Sequence, residues 1–453
     1  MPHDEAQAIQ ELLSSYAGLF GFFEAEGEEL VIVGGAVRDL IAAAALPAKL
    51  DVDFATSALP EKTIDILKKN RLRFFTTGIR FGTISTIHAA SGRMLELTTY
   101  RPDESYTVGS RKPEVTFGTS LEADLIRRDL SINAMALRSD GSIVDLFGGR
   151  EAIAARKLEV PGGGLERTRI ILRDDPLRIL RIARFAARLD YRPTDDTTAA
   201  ATECAPWLQT ISHERWKAEL DKLLVAPHPA AGLRWLQETG ALREVLPEAL
   251  PLLESDGFDR WCEALQQLPT EPHHLRWSWL LLSAAIAGGA VGDATTWPEV
   301  AVRQQTVSTL AERLKWSNEE RLVVSELIAL PFDPAQLEGL SELELRRWIA
   351  ATEPRVAGQC ALVGALCELV GDASQLAAFL ARVEALSGDA TPVPQLPAGF
   401  GKVLMTALGL QPGPAVGQAV DAVKQAIIDG RLANQGSAED YLAWLRNRAE
   451  TDA

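Results

Sequence analysis

Residues 29–39 read ELVIVGGAVRD, and this stretch decides the fold of the N-terminal part of the chain. The apolar run predicts a buried strand, and Gly34 and Gly35 let the backbone turn sharply before a helix over Val37–Ala45. A helix behind such a turn offers unbonded N–H groups and the positive end of its dipole to a phosphate. Arg38 would add a bidentate donor. The stretch therefore predicts a strand–turn–helix unit that is either a phosphate site or a tight turn without a ligand.

Outward from this unit, β-rich and helical runs alternate as far as about residue 150. Strands are predicted over Asp51–Phe54, Gly82–His88 and Met94–Tyr100, and a helix over Leu59–Asn70. Beyond that point strand signals fade and helical periodicity dominates. The helix candidates are 170–188, 213–225, 230–240, 258–268, 275–287, 300–315, 318–330, 340–351, 357–371, 374–386, 414–429 and 437–450. The pattern predicts a mixed α/β domain followed by helices packed on helices.

Size and composition are those of a globular chain with several domains. A length of 453 residues suggests about two to four domains, and 47% hydrophobic with 24% charged residues excludes a mostly disordered chain. Proline and glycine cluster at 161–164 and 392–402, which are the predicted joints.

The net charge of −16 argues against a protein that coats nucleic acid or anionic membrane, because phosphate binding needs a positive surface. The acidity is uneven. Residues 1–225 hold 29 basic and 33 acidic residues, whereas residues 226–453 hold 17 and 29. Between residues 166 and 192 there are eight arginines and four acids, a local charge of +4. A narrow arginine-lined nucleic-acid site therefore remains compatible with the acidic total.

Location and redox state can also be predicted from the sequence. The four cysteines are too few and too scattered for a disulfide framework or a CxxC zinc site, which favours thiols in a reducing cytoplasm. The N-terminus lacks the layout of a signal peptide. The longest apolar stretch, Trp277–Val291, is shorter than the ~20 residues that cross a bilayer. We expect a soluble, cytoplasmic protein with no membrane contact and no evident protein partner.

Two further patterns suggest chemistry without proving it. In a strand, Asp51 and Asp53 would share a face, and two like charges there repel unless a cation such as Mg²⁺ lies between them. A solvent-exposed strand edge without a metal would give the same sequence pattern. Arg127 and Arg128, followed by Asp129 and Asn133, suit anion and base-edge binding, or a charged helix start.

The arginine-dense stretch has helical periodicity. At 100° per residue, one side carries Asp174, Arg178, Arg181, Arg184 and Arg188, and the other is mainly apolar. A charged helix face is usually only solvated. The basic residues here are all arginine, however, which favours planar, bidentate recognition of a ligand.

Together, in order, the motifs resemble those of class II tRNA nucleotidyltransferases, the bacterial CCA-adding enzymes and their poly(A) polymerase relatives. The motifs on which this resemblance depends are GGAVRD, DVDFAT, RRDLSINAMA, DDPLRILRIARFAARL and SHERWKAEL, all within residues 28–250. The resemblance implies an α+β chain: a polymerase-β-like nucleotidyltransferase head with a small mixed sheet, then an all-helical neck, body and tail. The expected bounds are 15–155 for the catalytic head, 156–250 for a neck that reads the base and binds RNA, and 251–453 for a body and tail that bind tRNA.

Residue roles follow from the resemblance alone. Asp51 and Asp53 would be catalytic and hold Mg²⁺. The nucleotide-binding residues would be Gly35 and Arg38 at the triphosphate, Arg128 at the nucleotide, Asp175 and Arg178 at the incoming base, and Arg181 and Arg184 beside it on the helix. Glu96 is either a third carboxylate near the metals or a plain strand glutamate. The family usually has Glu-Asp where this chain has Asp174-Asp175.

The implied function is CCA addition to tRNA from CTP and ATP, with the 3′-hydroxyl attacking the α-phosphate. An Asp acceptor beside an Arg donor complements the hydrogen-bonding edges of cytosine and adenine. Uracil and guanine present a carbonyl to the Asp and a protonated ring nitrogen to the Arg, so they would be rejected. The protein could then select C and A without a nucleic-acid template. The alternatives are a poly(A) polymerase, an enzyme that adds only CC or only A, or an inactive RNA-binding protein on the same scaffold.

Some family members carry a metal-dependent phosphohydrolase domain with a His-Asp pair. The only His-Asp dipeptide here is His3-Asp4, at a terminus that looks disordered, and His273-His274 lacks the acids that accompany the histidines of such a domain. We therefore expect ordinary surface or core histidines and no phosphohydrolase activity.

Overall fold

The computed structural model describes most of the chain: residues 2–43, 50–101, 103–105, 114–116, 120–249, 252, 258–270, 272–289, 300–329, 336–370, 373–386 and 391–451. The chain forms two compact units, 1–247 and 248–453. No helix in the described ranges is long and apolar enough to cross a membrane.

The first unit is built on a mixed seven-stranded sheet with the order β3-β4-β5-β2-β1-β8-β9. Its central strand β1 pairs antiparallel with β2 and β8, while β2 pairs parallel with β5. Two small two-stranded sheets join β6 to β7 and β10 to β11. The strands are β1 Leu30–Val33, β2 Asp53–Thr56, β3 Phe74–Phe75, β4 Thr83–Ile87, β5 Met94–Thr99, β6 Asp103–Ser105, β7 Glu114–Thr116, β8 Met135–Leu137, β9 Ile143–Asp145, β10 Lys157–Leu158 and β11 Arg192–Pro193.

Helices surround the sheet and then continue alone. They are α1 Pro2–Glu24, α2 Gly35–Ala43, α3 Pro60–Lys69, α4 Leu121–Ile126, α5 Gly149–Ala154, α6 Leu165–Asp174, α7 Leu177–Leu189, α8 Asp195–Cys204, α9 His213–Leu224, α10 Pro229–Glu238 and α11 Ala241–Val245. Short 3₁₀ turns cover Ile79–Phe81, Ser131–Asn133, Ala205–Thr210 and Pro247–Ala249.

The core of the first unit explains the apolar run of β1. All four β1 residues are buried, and Val31 and Val33 pack with Ala55, Tyr100 and Leu125. A strand covered on both faces needs apolar residues at every position rather than alternating ones. The sheet thus fixes the position of the turn that follows β1.

The second unit is helical in its described residues. Its helices are α12 Phe258–Gln267, α13 His274–Gly289, α14 Val300–Arg313, α15 Asn318–Ala329, α16 Glu342–Thr352, α17 Val356–Val370, α18 Leu376–Ala385, α19 Phe400–Leu408, α20 Pro414–Ile428 and α21 Ala438–Thr451. One apolar cluster forms around Trp348, Val363 and Phe379, and another around Phe400 and Tyr441.

The predicted α+β class is confirmed, but three local predictions were wrong. The helix predicted over 170–188 is two helices, because Pro176 cannot donate the N–H that would continue α6. Strand β2 starts at Asp53, so Asp51 precedes the strand and is not part of it. The terminus around His3 is the start of α1 rather than an irregular segment.

Candidate active site

A cavity of about 400 Å³ opens in the first unit where the sheet meets the helices that follow it. Six arginines and four carboxylates line it, a net positive wall suited to a polyanion. The charged residues are Asp53, Glu96, Arg101, Arg127, Arg128, Asp129, Asp175, Arg178, Arg181 and Arg215; Val33, Phe54, Thr83, Thr98 and Leu177 complete the lining.

Carboxylates mark the sheet side of the cavity. Asp53 on β2 is directly opposite Glu96 on β5 in the parallel register, and both side chains are exposed to the cavity. The surrounding protein displaces water from Asp53 and raises its pKa, repulsion from Asp51 and Glu96 raises it further, and Arg128 lowers it. Neighbouring like charges of this kind, with oxygen donors only, fit a divalent cation such as Mg²⁺.

The Gly34-Gly35 turn does what the sequence predicts for the backbone. Gly34 has φ +72°, a left-handed conformation that favours glycine, and its carbonyl accepts the Arg38 N–H at 3.2 Å as α2 begins. A β-carbon on Gly34 would lie 3.4 Å from Nη1 of Arg128. The turn therefore brings β1, α2 and Arg128 close together at the rim of the cavity.

Arg38 is not among the cavity-lining residues. Its side chain is 2% exposed, and Nη1 donates to Oδ1 of Asn133 at 2.6 Å while Nη2 lies 2.7 Å from Oδ1 of Asp39. The guanidinium carbon lies 5.3 Å from the ring centre of Phe185 on α7. In this structure Arg38 ties α2 to the rest of the unit. Its predicted contact with a triphosphate stays a prediction.

The break between α6 and α7 places Asp175 at the end of α6, where its side chain is fixed by hydrogen bonds. Asp175 caps α6 in an extended conformation, and its Oδ1 accepts the N–H of Leu177 at 3.2 Å. Its Oδ2 accepts Nη2 of Arg215 on α9 at 2.9 Å. Both oxygens are therefore oriented, and the carboxylate is held at the cavity wall by α7 and α9 together.

Arg178 lies one residue into α7 and is held by main-chain carbonyls. Its Nη1 donates to the carbonyl of Ile171 at 3.3 Å, and its Nη2 to that of Arg127 at 3.2 Å. These bonds fix the plane of the guanidinium while the group still lines the cavity beside Asp175. A planar donor next to an oriented acceptor is the pair needed to read one edge of a base.

Arg181 and Arg184 share one acid but differ in their access to the cavity. Arg181 lines it and donates from Nε and Nη2 to Oδ2 of Asp129, at 3.0 and 2.6 Å. Arg184 is not among the lining residues; its Nε forms an ion pair with Oε2 of Glu219 at 3.1 Å. Glu219 on α9 also lies 3.6 Å from Arg181. Acids from two other segments thus fix the arginine face of α7.

Asp129 is buried within this network. Burial alone would raise its pKa, but the charge and hydrogen bonds of Arg181 and the amide of Asn133 hold the pKa at about 2. The same carboxylate raises the pKa of Arg181. Asp129 is therefore ionised at neutral pH and locks α7 to the segment after α4.

Arg128 and Arg127 are positioned by one carboxylate. Nη2 of each arginine lies within hydrogen-bond distance of Asp124, at 2.8 Å for Arg128 and 2.9 Å for Arg127. Burial raises the pKa of Asp124, but the two arginines lower it by more. Both arginines line the cavity. The predicted contact of Arg128 with the nucleotide stays a prediction.

The structure brings together Asp53, Arg128, Asp175, Arg178 and Arg181, and leaves Gly35, Arg38, Asp51 and Arg184 off the lining. Sequence reasoning assigned no role to Arg215 and Arg101, and it did not predict that Asp129 pairs with Arg181. Arg215 and Asp129 stood inside motifs already singled out, SHERWKAEL and RRDLSINAMA. A charged residue inside a family motif was therefore a signal that it belongs to the site. Its ion-pair partner lies far away in the chain and could not be predicted from one sequence.

Comparison with known protein families places two segments. Residues 30–159 match the poly A polymerase head domain, and residues 190–253 match a probable RNA- and SrmB-binding site of polymerase A. Among curated proteins, the chain is 32% identical over 452 residues to the CCA-adding enzyme of Geobacillus thermodenitrificans, covering 96% of both chains. It is 30% identical to the CCA-adding enzyme of Streptococcus sanguinis, covering 91% of this chain and 92% of that one.

Solved structures give the same relationship. The Bacillus stearothermophilus CCA-adding enzyme in complex with CTP matches with TM-score 0.69 and 28% identity, covering 98% of both chains. The Thermotoga maritima CCA-adding enzyme complexed with tRNA shares the fold, with TM-score 0.61 and 19% identity over 96% of both chains.

Proposed function

The chain belongs to the family of CCA-adding enzymes, and on that premise we propose that it adds C and A to the 3′ end of tRNA from CTP and ATP. One observation carries this proposal. A single cavity holds strand carboxylates at one side and, at the other, an oriented Asp175 beside a fixed Arg178. A nucleoside triphosphate needs both, since its phosphates and its base are recognised by different chemistry.

Metal binding is proposed for the carboxylate side. Asp51 and Asp53 would hold Mg²⁺, which when bound stabilises the charge that develops as the 3′-hydroxyl attacks the α-phosphate and pyrophosphate leaves. The raised pKa of Asp53 and its repulsion from Asp51 and Glu96 support a cation there. Glu96 faces the same cavity and either adds a ligand or sets the negative potential that retains the cation.

The arginine side would bind the triphosphate and the base. Arg101, Arg127 and Arg128 place positive charge around the sheet end of the cavity, where phosphates would lie near the metal. Asp175 would accept the amino group of cytosine or adenine, and Arg178 would donate to the adjacent ring nitrogen. Uracil and guanine present a carbonyl, so the Asp175 carboxylate would face an acceptor instead of a donor, which costs about 1–3 kcal/mol.

The experiment offers the purified protein a tRNA transcript that ends at its discriminator base. CTP and ATP are supplied separately and together with Mg²⁺, and the new 3′ ends are sequenced. CCA ends support the proposal. Ends with only CC or only A would restrict the proposed function to partial CCA addition. A long A tract would indicate a poly(A) polymerase instead. No release of pyrophosphate would indicate an inactive RNA-binding protein on the same scaffold.

Two accompanying features of the function are also proposed. The second unit, 248–453, would contribute to tRNA binding, as would the predicted neck, and binding should weaken as salt rises because phosphate contacts release counterions. The protein would act in the cytoplasm, where CTP, ATP and immature tRNA are found.

A further inference from the structure

The second unit brings two histidines and one acid together, and none of the three lines the cavity described above. His273 immediately precedes α13, His274 begins it, and Glu320 lies in the first turn of α15. One potential ligand atom from each residue lies within 4.8 Å of the others, and all three side chains are partly buried. In the sequence, Glu271 stands two residues before His273; the acid that the packing of α13 along α15 brings to the pair is Glu320.

The contacts of the three side chains are compact. The imidazole rings of His273 and His274 are 4.1 Å apart at their centres, with 34° between their planes. Nε2 of His273 lies 3.7 Å from Oε1 of Glu320. Two imidazole nitrogens and one carboxylate oxygen form a donor set that suits Zn²⁺, whereas Mg²⁺ prefers oxygen ligands alone.

The surrounding backbone is already fixed. Glu320 belongs to a capping box in which its Oε2 accepts the N–H of Ser317 at 2.7 Å and the Ser317 hydroxyl accepts the N–H of Glu320 at 3.1 Å. The other carboxylate oxygen, Oε1, lies 3.7 Å from Nε2 of His273. The first turn of α13 is set by the carbonyl of His273, which accepts the N–H of Trp277 at 3.2 Å.

The two helices also meet through aromatic packing beside the cluster. The ring of Trp277 meets the ring of Trp316 edge-on, with centres 5.3 Å apart. This contact is one helical turn beyond the histidines on one side and just before Ser317 on the other. The ligands thus come from segments held together before any metal binds, which lowers the entropic cost of assembling a site.

We propose that His273, His274 and Glu320 bind a Zn²⁺ ion that braces α13 against α15. Tetrahedral zinc at about 2.0–2.1 Å from each ligand brings ligand atoms to roughly 3.4 Å apart. The ligand atoms now lie within 4.8 Å of one another, so rotation of the two rings and the carboxylate would have to close each pair by at most about 1.4 Å. A water molecule would complete the coordination. The role is structural, and the proposal is independent of the nucleotidyltransferase function.

Isothermal titration with ZnCl₂ tests the proposal on the untagged, EDTA-treated full chain. Excess Mg²⁺ is present so that the strand carboxylates of the first unit are occupied. We expect one equivalent of Zn²⁺ to bind the wild-type protein with micromolar affinity, and H273A or E320Q to weaken binding by at least tenfold. Zn²⁺ should also raise the thermal midpoint of the wild-type protein but not that of E320Q.

The matched control is H228A, which removes a partly buried histidine of the first unit. It should bind Zn²⁺ as the wild type does. Titration with Co²⁺ distinguishes histidine and carboxylate ligands from cysteine ligands, because only a bound cysteine would give a thiolate charge-transfer band. The proposal is overturned if the wild type binds no Zn²⁺, if that thiolate band appears, or if folded H273A and E320Q, checked by circular dichroism and by unchanged nucleotide incorporation, bind as tightly as the wild type.

Discussion

Nη2 of Arg215 donates to Oδ2 of Asp175 at 2.9 Å, across the gap between α9 and the break that separates α6 from α7. The other oxygen of Asp175 is already bonded to the N–H of Leu177. Arg215 therefore fixes the orientation of the carboxylate that we propose reads the incoming base.

Substituting R215A should blur base choice. The side chain of Arg215 is 42% exposed, so losing the ion pair should cost about 1 kcal/mol, which is roughly a fivefold loss in discrimination of C and A against U and G. The measurement compares kcat/KM for the four triphosphates. R156A is the control, because Arg156 forms an exposed ion pair with Asp190 outside the cavity. Equal discrimination in R215A and R156A would refute the positioning role.

Arg178→Ala should reduce base discrimination more than it weakens triphosphate binding. The guanidinium is fixed by the carbonyls of Ile171 and Arg127, and removing a charged donor to a base typically costs about 1–3 kcal/mol. Binding of CTP and UTP by the variant, together with their incorporation rates, separates the two effects. R188A on the same helix is the control, since its exposed side chain pairs with Asp39. Unchanged C/A preference in R178A would contradict the proposed role.

The D53N substitution should abolish incorporation without unfolding the chain. Loss of a metal ligand should lower the rate on the order of a thousandfold or more. In the absence of Mg²⁺ the variant should be at least as thermally stable as the wild type, because repulsion from Asp51 and Glu96 disappears. Pyrophosphate release and thermal melting are measured on D53N and on D65N, which changes an exposed acid on α3. Turnover at the wild-type rate in D53N would show that Asp53 is not a ligand of the catalytic metal.

The ion pair between Asp129, whose side chain is 9% exposed, and the partly exposed Arg181 should make the free energy of unfolding depend on pH at the acid end. The pKa of Asp129 is held at about 2, below the ordinary value of 3.8, so its contribution is full above about pH 4 and is lost as pH falls through 2. D129N should therefore cost about 2 kcal/mol at pH 6, and roughly half of that at pH 3. Denaturant midpoints of wild type and D129N at both pH values test this. A pH-independent difference would show that the ion pair does not supply the stability.

Gly232→Ala should destabilise the first unit through the packing of α10 on α7. A β-carbon there would lie 2.4 Å from the carbonyl oxygen of Ala183, which is backbone and cannot rotate away. Forcing the helices apart should cost about 1–3 kcal/mol. G18A is the control, since Gly18 is helical with nothing within 4 Å of its added carbon, and alanine should stabilise α1 by about 0.5–1 kcal/mol. Equal denaturant midpoints for G232A and wild type would contradict the proposed clash.

Local patterns in the sequence determined most of the architecture. Apolar continuity placed β1, and the order of motifs identified the family. Helical periodicity placed the helices of the second unit to within a few residues, except α19, which was missed and whose start at Phe400 lies inside the predicted joint 392–402. These features depend on neighbours in the chain. Hence they can be read without knowing what packs against them.

Only the tertiary structure decided which charges meet. Periodicity predicted one helix through residue 176, whereas proline geometry made two and turned Asp175 towards Arg215. Arg38 matches the sequence pattern of a phosphate-binding turn, but its side chain is buried against Asn133 and Phe185. Glu320 joined His273 from another helix. Ion pairs and buried donors depend on distances between segments far apart in the chain, and those distances are set by packing and not by local sequence.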